Sequence, residues 1–497
     1  MVKNIFHLTI IILLLVAGCN PVYENVSPLD PLTLQDVLAI SQERREGIIK
    51  PSIEYISQFT QGREERTVNM ARFLSFRRGP ESVTSQEAID DFTMFSDALR
   101  QIYAAYIFFG GDEVFLPIFD DVKESLASQE YWQVYDFLSR IFTALGPVIN
   151  DNHFSLGMGN LGWTLGNPYD FLVPVNFNDA FDNSENGFHN RRTGQYVKEL
   201  LLDGQLLDFE SEGIFRLSVS EDGMFYYSIV IVKPESGRAS IPLTIVYENN
   251  SRDRISVAPI YTYRMPYDTV SLQYIQGFPV ITIQEMYFIG LYHYASKALS
   301  LAEEFQNEPV LIVDIRSNRG GDSLLALRWF LNLTGEIVPS NFIQIIHSMG
   351  TASDIFGLTE FFSQYLAPIP IDERHELRYT HADRIVPSEQ LLIILTDRFT
   401  ASAGEVFTDM AFNLENTLVI GQNTWGVLQT DRSNTGFLPN SAIRFYFGRG
   451  LLIHPPGHFY EGIGIAPDIW VNGDALEAAI AMLNANAGYI NEIFRQR

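Results

Sequence analysis

The chain has 497 residues, of which 46% are hydrophobic and 13% aromatic, so it can bury large cores and divide into two or three domains. Acidic residues outnumber basic residues 60 to 34, which gives a formal net charge of -26. A charge of this sign repels phosphate backbones, so nucleic acid is excluded as an expected partner.

The N-terminus MVKNIFHLTIIILLLVAGCN combines a basic start, a short apolar run and small residues, which is typical of a secretory signal. Its ending LVAGC resembles a bacterial lipobox. The resemblance implies a signal peptide over 1–18, lipidation of Cys19 and a polar tether over 19–30. The alternative is an ordinary cleaved signal with a chance cysteine. Lipidation would attach the chain to a membrane, and we expect it in the bacterial cell envelope, outside the cytoplasm.

Cys19 is the single cysteine of the chain, so it forms no internal disulfide and no thiolate metal cluster. The sequence contains no HExxH motif and no cluster with metal-ligand spacing. We therefore expect neither a metal nor a cofactor.

The pattern of apolar residues changes along the chain and predicts a mixed α/β protein. Apolar spacings of three and four indicate helices over 31–156, and short alternating runs indicate a β-rich module over 157–275. Strand and helix patterns alternate over 276–475, which predicts an α/β core, and 476–497 is expected to be a C-terminal helix.

Two loops in the α/β core follow buried-strand patterns. In PVLIVDIRSNRGGDS, Gly320 and Gly321 permit a tight backbone whose N–H groups could hold an oxyanion, while Asp314 and Arg316 are expected to fix the loop by ion pairing. In LLIILTDRFTASAGEVF, Ser402 precedes a predicted helix. A serine at this position could be a nucleophile or a helix cap.

These motifs, with LVIGQNTWG and EGIGIAPDIWV, resemble the S41 peptidases, the family of the C-terminal processing and tricorn-type serine proteases. The resemblance implies an α/β catalytic core, protein or peptide substrates and Ser402 as the nucleophile. The backbone N–H of Ala403 would then form the oxyanion hole with Gly320 or Gly321.

The chain departs from the processing proteases at their catalytic lysine, because TWGV places Val427 there and no lysine follows Lys297. The tricorn-like branch uses a histidine and a late glutamate instead. His153 in NDNHFSL and Glu461 in EGIGIAPDI match those motifs, which implies a catalytic set of His153, Ser402 and Glu461. A neutral imidazole can accept the serine proton, and a carboxylate can orient it.

Two alternatives stay open. His454 or His458, close to Glu461 in sequence, could be the base instead of His153. The whole chain could also be a catalytically inactive protein of the S41 fold that binds peptides or hydrophobic ligands. The retained serine, histidine and glutamate favour an envelope serine endopeptidase. No PDZ signature is found in the β-rich module, so recognition of substrate C-termini is not expected.

Overall fold

The computed structural model has helices and strands throughout the parts of the chain that it describes. The described residues are 31–49, 51–59, 79–158, 161–175, 180–209, 211, 213–260, 269–286, 292–346 and 385–494. The signal peptide, Cys19 and the tether lie outside them. No helix in these ranges is both long and apolar enough to cross a membrane.

The helices are named in chain order. They are α1 Leu34–Glu46, α2 Ile53–Ser57, α3 Ser85–Ile102, α4 Gly111–Leu126, α5 Val134–Leu145, α6 Tyr292–Glu304, α7 Ser323–Thr334, α8 Ala403–Ala411, α9 Ala475–Ala485 and α10 Ala487–Ile493.

The strands of the N-terminal and middle parts are β1 Ser82–Thr84, β2 Tyr131–Gln133, β3 Asp151–Met158, β4 Leu161–Leu165, β5 Tyr169–Val175, β6 Phe181–Ser184, β7 Gly187–Asn190, β8 Val197–Leu202, β9 Gln205–Leu207, β10 Phe215–Val219, β11 Phe225–Ile229, β12 Ile231–Pro234, β13 Ile241–Tyr247 and β14 Arg252–Pro259. Those of the C-terminal half are β15 Val270–Ile275, β16 Phe278–Ile283, β17 Val310–Asp314, β18 Ile343–Ile346, β19 Leu391–Thr396, β20 Thr417–Gly421, β21 Thr430–Phe437, β22 Arg444–Ile453 and β23 Ile469–Trp470.

The centre of the molecule is a six-stranded sheet in the order β15-β16-β17-β19-β20-β23. Only β15 is antiparallel to its neighbour, and the other neighbouring pairs are parallel. Alternate residues of β17 and β19 pack on opposite faces, against α6 to α8 on one side and against α9 and α10 on the other. Because both faces are covered, these strands are continuously apolar, as VLIVD and LLIILT predict.

The flanking regions are built from antiparallel sheets and helices. Helices α3 to α5 share a core with a sheet in the order β18-β22-β3-β4, to which β21 is added. The middle module has one sheet of four strands and one of six, β10-β11-β6-β7 and β12-β5-β14-β13-β8-β9. The mixed α/β fold predicted from the sequence is therefore confirmed.

Two predicted domain limits fall inside or beside single elements of the structure. The limit at 156/157 lies within β3, which pairs with β22 near the C-terminus. Strand β15, assigned from sequence to the β-rich module, pairs with β16 as the edge of the central sheet. The segment after residue 475 forms two short helices, α9 and α10, in place of one.

Candidate active site

Ser402 lies in a turn between β19 and α8, at the carboxyl edge of the parallel sheet, where open α/β sheets commonly bind ligands. Its backbone has φ 52° and ψ -114°, a conformation that costs a non-glycine residue about 1–3 kcal/mol. The turn is held by the neighbouring loop, because Ala401 N donates to Asn318 O at 2.8 Å and Thr400 Oγ1 donates to Ile315 O at 3.0 Å. These contacts hold the serine in its strained conformation.

His153, on β3, is 249 positions away from Ser402 in the chain, yet its Nε2 atom lies 3.3 Å from Ser402 Oγ. Burial lowers the pKa of His153 to about 4, although the Thr430 backbone carbonyl partly offsets this effect. The imidazole is therefore neutral at physiological pH and can accept the hydroxyl proton. Such contacts often shorten once a substrate is bound.

Glu461 contacts the backbone beside His153 and not its ring. One carboxylate oxygen accepts from Asn152 N at 2.5 Å, and the other accepts from Leu428 N at 2.8 Å and Gln429 N at 2.7 Å. The Nδ1 atom of His153 is buried and has no hydrogen-bond partner among the described residues. The direct carboxylate–imidazole contact implied by the sequence is thus absent from this geometry.

Glu405, for which the sequence predicted no role, is a buried carboxylate that is hydrogen-bonded to the backbone of Ser402. Its Oε2 atom accepts from Ser402 N at 2.8 Å and from Val427 N at 2.9 Å. Its Oε1 atom accepts from Thr424 Oγ1 at 2.6 Å and from Gly426 N at 2.7 Å. Burial raises the pKa of Glu405, and these hydrogen bonds oppose the rise. In the sequence, the contact with Ser402 N could have been predicted from the S-x-x-E spacing of Ser402 and Glu405, which is typical of a capping box.

The two glycines of the first loop lie against the serine turn. A Cβ atom on Gly320, whose φ is 96°, would lie 2.7 Å from Ser402 Cβ and 3.0 Å from Ala403 N. Gly320 N already donates to Asn318 Oδ1 at 2.8 Å, so its N–H is engaged within the loop. This leaves Gly321 as the better candidate donor of the pair.

Gly321 N and Ala403 N are both available for an oxyanion. The loop is tied to Met286 by bonds from Met286 N to Gly320 O and from Asp322 N to Met286 O, neither of which uses the Gly321 N–H. Ala403 is the first residue of α8, where an N–H group has no intrahelical acceptor and negative charge is favoured.

The ion pair predicted for the first loop is present. Arg316 binds Asp314 at 2.7 Å, and it also binds Asp474, which caps α9, at 2.9 Å. The Arg316 and Asp314 side chains are almost fully buried. The pair therefore fixes the loop to the central sheet and to α9.

The competing histidines contact other groups. His454 Nε2 lies 2.8 Å from Leu428 O, and His458 Nδ1 lies 3.1 Å from the hydroxyl of Tyr460. Neither has a hydrogen bond to Ser402 in the described geometry. Three further histidines of the sequence, His347, His375 and His381, lie outside the described residues.

Residues 280–471 match the family described as Peptidase family S41. The chain carries a peptidase S41 domain. This peptidase domain includes Ser402 and Glu461, whereas His153 precedes it in the chain. The match confirms the resemblance for this segment and supports the predicted class of enzyme, a serine-type peptidase.

Several solved structures are similar to the chain over most of its length, at low identity. Mature CPAF complexed with lactacystin is 13% identical, with 83% of this chain and 98% of that chain covered and a TM-score of 0.41. A putative peptidase from Parabacteroides merdae is 14% identical, with 82% and 97% covered and a TM-score of 0.39. The photosystem II D1 C-terminal processing protease is 13% identical, with 81% and 99% covered and a TM-score of 0.37. No curated protein matches the chain.

Proposed function

We propose that this protein is a lipid-anchored serine endopeptidase of the bacterial cell envelope, with Ser402 as nucleophile and His153 as general base. The observation that carries the proposal is the 3.3 Å approach of a half-buried imidazole to a serine hydroxyl in a strained turn. The peptidase S41 domain supplies the reaction class, hydrolysis of peptide bonds in proteins or peptides.

In the proposed reaction, Ser402 Oγ attacks the carbonyl carbon of the scissile bond while its proton passes to His153 Nε2. The developing oxyanion accepts hydrogen bonds from the N–H groups of Ala403 and Gly321, and one such donor is typically worth about 10²–10³ in rate. The imidazolium then protonates the leaving amine, and the C–N bond breaks. A water molecule, deprotonated by the same imidazole, hydrolyses the acyl-enzyme and restores Ser402.

The buried carboxylates of Glu405 and Glu461 support this chemistry by binding backbone N–H groups next to the reacting residues. Glu405 holds the Ser402 N–H and the N–H groups of Gly426 and Val427, so it fixes the backbone on both sides of the serine pocket. Glu461 fixes the peptide between Asp151 and Asn152, one residue before His153. Neither carboxylate has to take up the serine proton.

Lipidation of Cys19 would keep the catalytic domain close to a membrane surface. Twelve tether residues, 19–30, span at most about 40 Å when fully extended. Substrates would therefore be exposed or unfolded segments of proteins near that surface. In a bacterial host, wild type is expected to incorporate a labelled fatty acid, whereas a Cys19→Ser variant is not. No incorporation by wild type, or equal incorporation by the variant, would contradict the lipid anchor.

The function is tested by labelling the detergent-solubilised full chain with a fluorophosphonate probe and by measuring cleavage of an unfolded protein. Wild type should be labelled and active, whereas Ser402→Ala should show neither property and His153→Ala should react slowly. If folded wild type is not labelled and cleaves nothing, the proposal fails. The inactive binding protein of the S41 fold then becomes the better interpretation.

A further inference from the structure

We propose that Asp151 is a positioning residue for His153, and that Asp151 and Glu461 together hold the backbone of the catalytic strand in place of a carboxylate bound to the imidazole. This inference rests on the proposed function, because it assigns a role relative to His153 as the base.

The two carboxylates hold consecutive peptide N–H groups of β3. Asp151 Oδ1 accepts from His153 N at 2.9 Å, and Glu461 Oε1 accepts from Asn152 N at 2.5 Å. Each acceptor oxygen belongs to a different segment of the chain. The peptide planes on either side of Asn152 are therefore fixed by side chains.

Strand pairing does not hold this part of β3. The register with β4 is irregular between Asp151 and Ser155, and the register with β22 covers only Ser155 to Gly157. Residues 152–154 thus lie in a local break of the ladder, where a strand bends and side chains are re-aimed. The carboxylates supply the backbone acceptors that a neighbouring strand would otherwise provide.

Asp151 is itself held from two other elements. Tyr103, at the end of α3, donates its hydroxyl to Asp151 Oδ2 at 2.8 Å, and Thr430, at the start of β21, donates to the same atom at 2.9 Å. Asp151 and Tyr103 are both fully buried. The carboxylate therefore has little freedom to move away from the His153 N–H.

The ionisable groups around Asp151 are Tyr103, Glu461 and His153. Burial raises the pKa of Asp151 to about 6, while hydrogen bonds from Tyr103, His153 and Thr430 oppose the rise. Burial and then the charge of Asp151 raise the pKa of Glu461 well above its usual value. Asp151 is thus mainly ionised at neutral pH and accepts hydrogen bonds without donating one.

The backbone clamp matters because no carboxylate contacts the imidazole ring. His153 Nδ1 has no hydrogen bond of normal geometry to a described residue, although the Thr430 backbone carbonyl acts on the ring, so the position of Nε2 depends strongly on where the backbone places Cβ. A misplacement of about 1 Å can cost roughly 10²-fold in rate. Loss of the acceptor on Asp151 would free the His153 N–H and let Nε2 move away from Ser402.

The test compares Asp151→Ala with Asp151→Asn, by the rate constant of fluorophosphonate labelling and by kcat and KM on a peptide. Asp151→Ala should lower the labelling rate constant and kcat by about 10²-fold, with KM nearly unchanged. Asp151→Asn keeps an oxygen that can accept from His153 N. It should stay within about fivefold of wild type, because a neutral acceptor still holds the backbone.

Asp91 provides a matched control. Like Asp151, it is a fully buried aspartate that holds backbone N–H groups. It accepts from Asn440 N at 2.9 Å and from Ser441 N at 2.7 Å, and neither partner belongs to the proposed catalytic set. Asp91→Ala should lower the melting temperature without slowing the labelling of folded protein. Slow labelling of this variant as well would indicate a general packing effect and overturn the specific role of Asp151.

The remaining outcomes separate this inference from the proposed function. If wild type is labelled, Ser402→Ala is not, and folded Asp151→Ala reacts at the wild-type rate, only the role of Asp151 is refuted. An Asp151→Asn variant as slow as Asp151→Ala would also refute it, because charge would then matter and not position. If Asp151→Ala does not fold, Tyr103→Phe removes one donor to Asp151 and should slow labelling several-fold. An unchanged rate in Tyr103→Phe would overturn the proposal.

Discussion

The hydrogen bonds that hold the regions around Ser402 and His153 differ in the sequence separation of the groups they join. The carboxylate of Glu405 binds Ser402 N three positions away, and it binds Thr424, Gly426 and Val427 at separations of 19 to 22. By contrast, Asn152 is 309 positions from Glu461 and Asp151 is 279 positions from Thr430. On the nucleophile side, the carboxylate that binds Ser402 lies in the same motif, whereas on the base side the partners come from segments about 300 positions apart.

The two sides therefore differ in what keeps each residue in position. On the nucleophile side, the loop 315–318 and the Glu405 carboxylate both hold the strained backbone around Ser402. The serine therefore keeps its conformation as long as the core is folded. On the base side, the contact with Ser402 exists only while β3 is correctly docked on the central domain. Mutations that loosen the docking should therefore reduce activity before they unfold the core.

The largest effect should come from removing the base. We expect His153→Gln to lower kcat/KM by about 10²–10⁴, because general-base catalysis is commonly worth that much. His454→Gln is the matched control, since His454 is also a half-buried imidazole but contacts Leu428 O, and we expect less than about twofold change. The measurement is cleavage of an unfolded protein. Activity that survives in His153→Gln but disappears in His454→Gln would reverse the assignment.

The next effect should come from filling the space beside the nucleophile. We expect Gly320→Ala to lower the labelling rate by on the order of 10²-fold, because the new Cβ would meet Ser402 Cβ and Ala403 N and disturb the oxyanion donors. Gly335→Ala is a control for backbone strain alone, since Gly335 has φ 74° with no atom within 4 Å of the new Cβ. Equal losses in both variants would show that strain, and not the site, is responsible.

A smaller effect is expected from neutralising the carboxylate on the nucleophile side. Glu405→Gln places an NH₂ group against one of the buried donors. A loss of about 1–3 kcal/mol in transition-state stabilisation lowers the rate by roughly fivefold to 150-fold. Both the labelling rate and the melting temperature should fall. A melting temperature that falls while the labelling rate of folded protein is unchanged would mean that Glu405 stabilises the fold without positioning Ser402.

The smallest effect concerns mild acid. Burial lowers the folded-state pKa of His153 to about 4, so the neutral, reactive imidazole is retained as pH falls below 6.5 and is lost only near the lowered pKa. At pH 5 we expect about nine-tenths of the labelling rate seen at pH 7, whereas an imidazole with an ordinary pKa of about 6.5 would keep only about 4% of its rate at pH 7. An acid limb near pH 6.5 would contradict the buried geometry of His153.

The class of fold and the candidate nucleophile Ser402 could be predicted from neighbouring residues alone, whereas the contact between Glu405 and Ser402 N was not predicted. The apolar runs VLIVD and LLIILT specify strands that are buried on both faces, and glycines at 320 and 321 allow the loop to approach the serine. These features depend on neighbouring residues and on local backbone freedom. They can therefore be predicted from a single sequence, and the S41 match over 280–471 confirms the domain.

The way in which the base side is held depends on long-range contacts of the folded chain. The sequence motifs predicted roles for His153 and Glu461. They could not show that Glu461 accepts from Asn152 N instead of binding the imidazole, or that Asp151 accepts from His153 N. Those contacts depend on the broken register of β3 and on segments about 300 positions apart. The hydrogen-bond partners of a buried carboxylate depend on which segments pack together in the folded chain. The spacing of residues along the sequence does not show which segments these are.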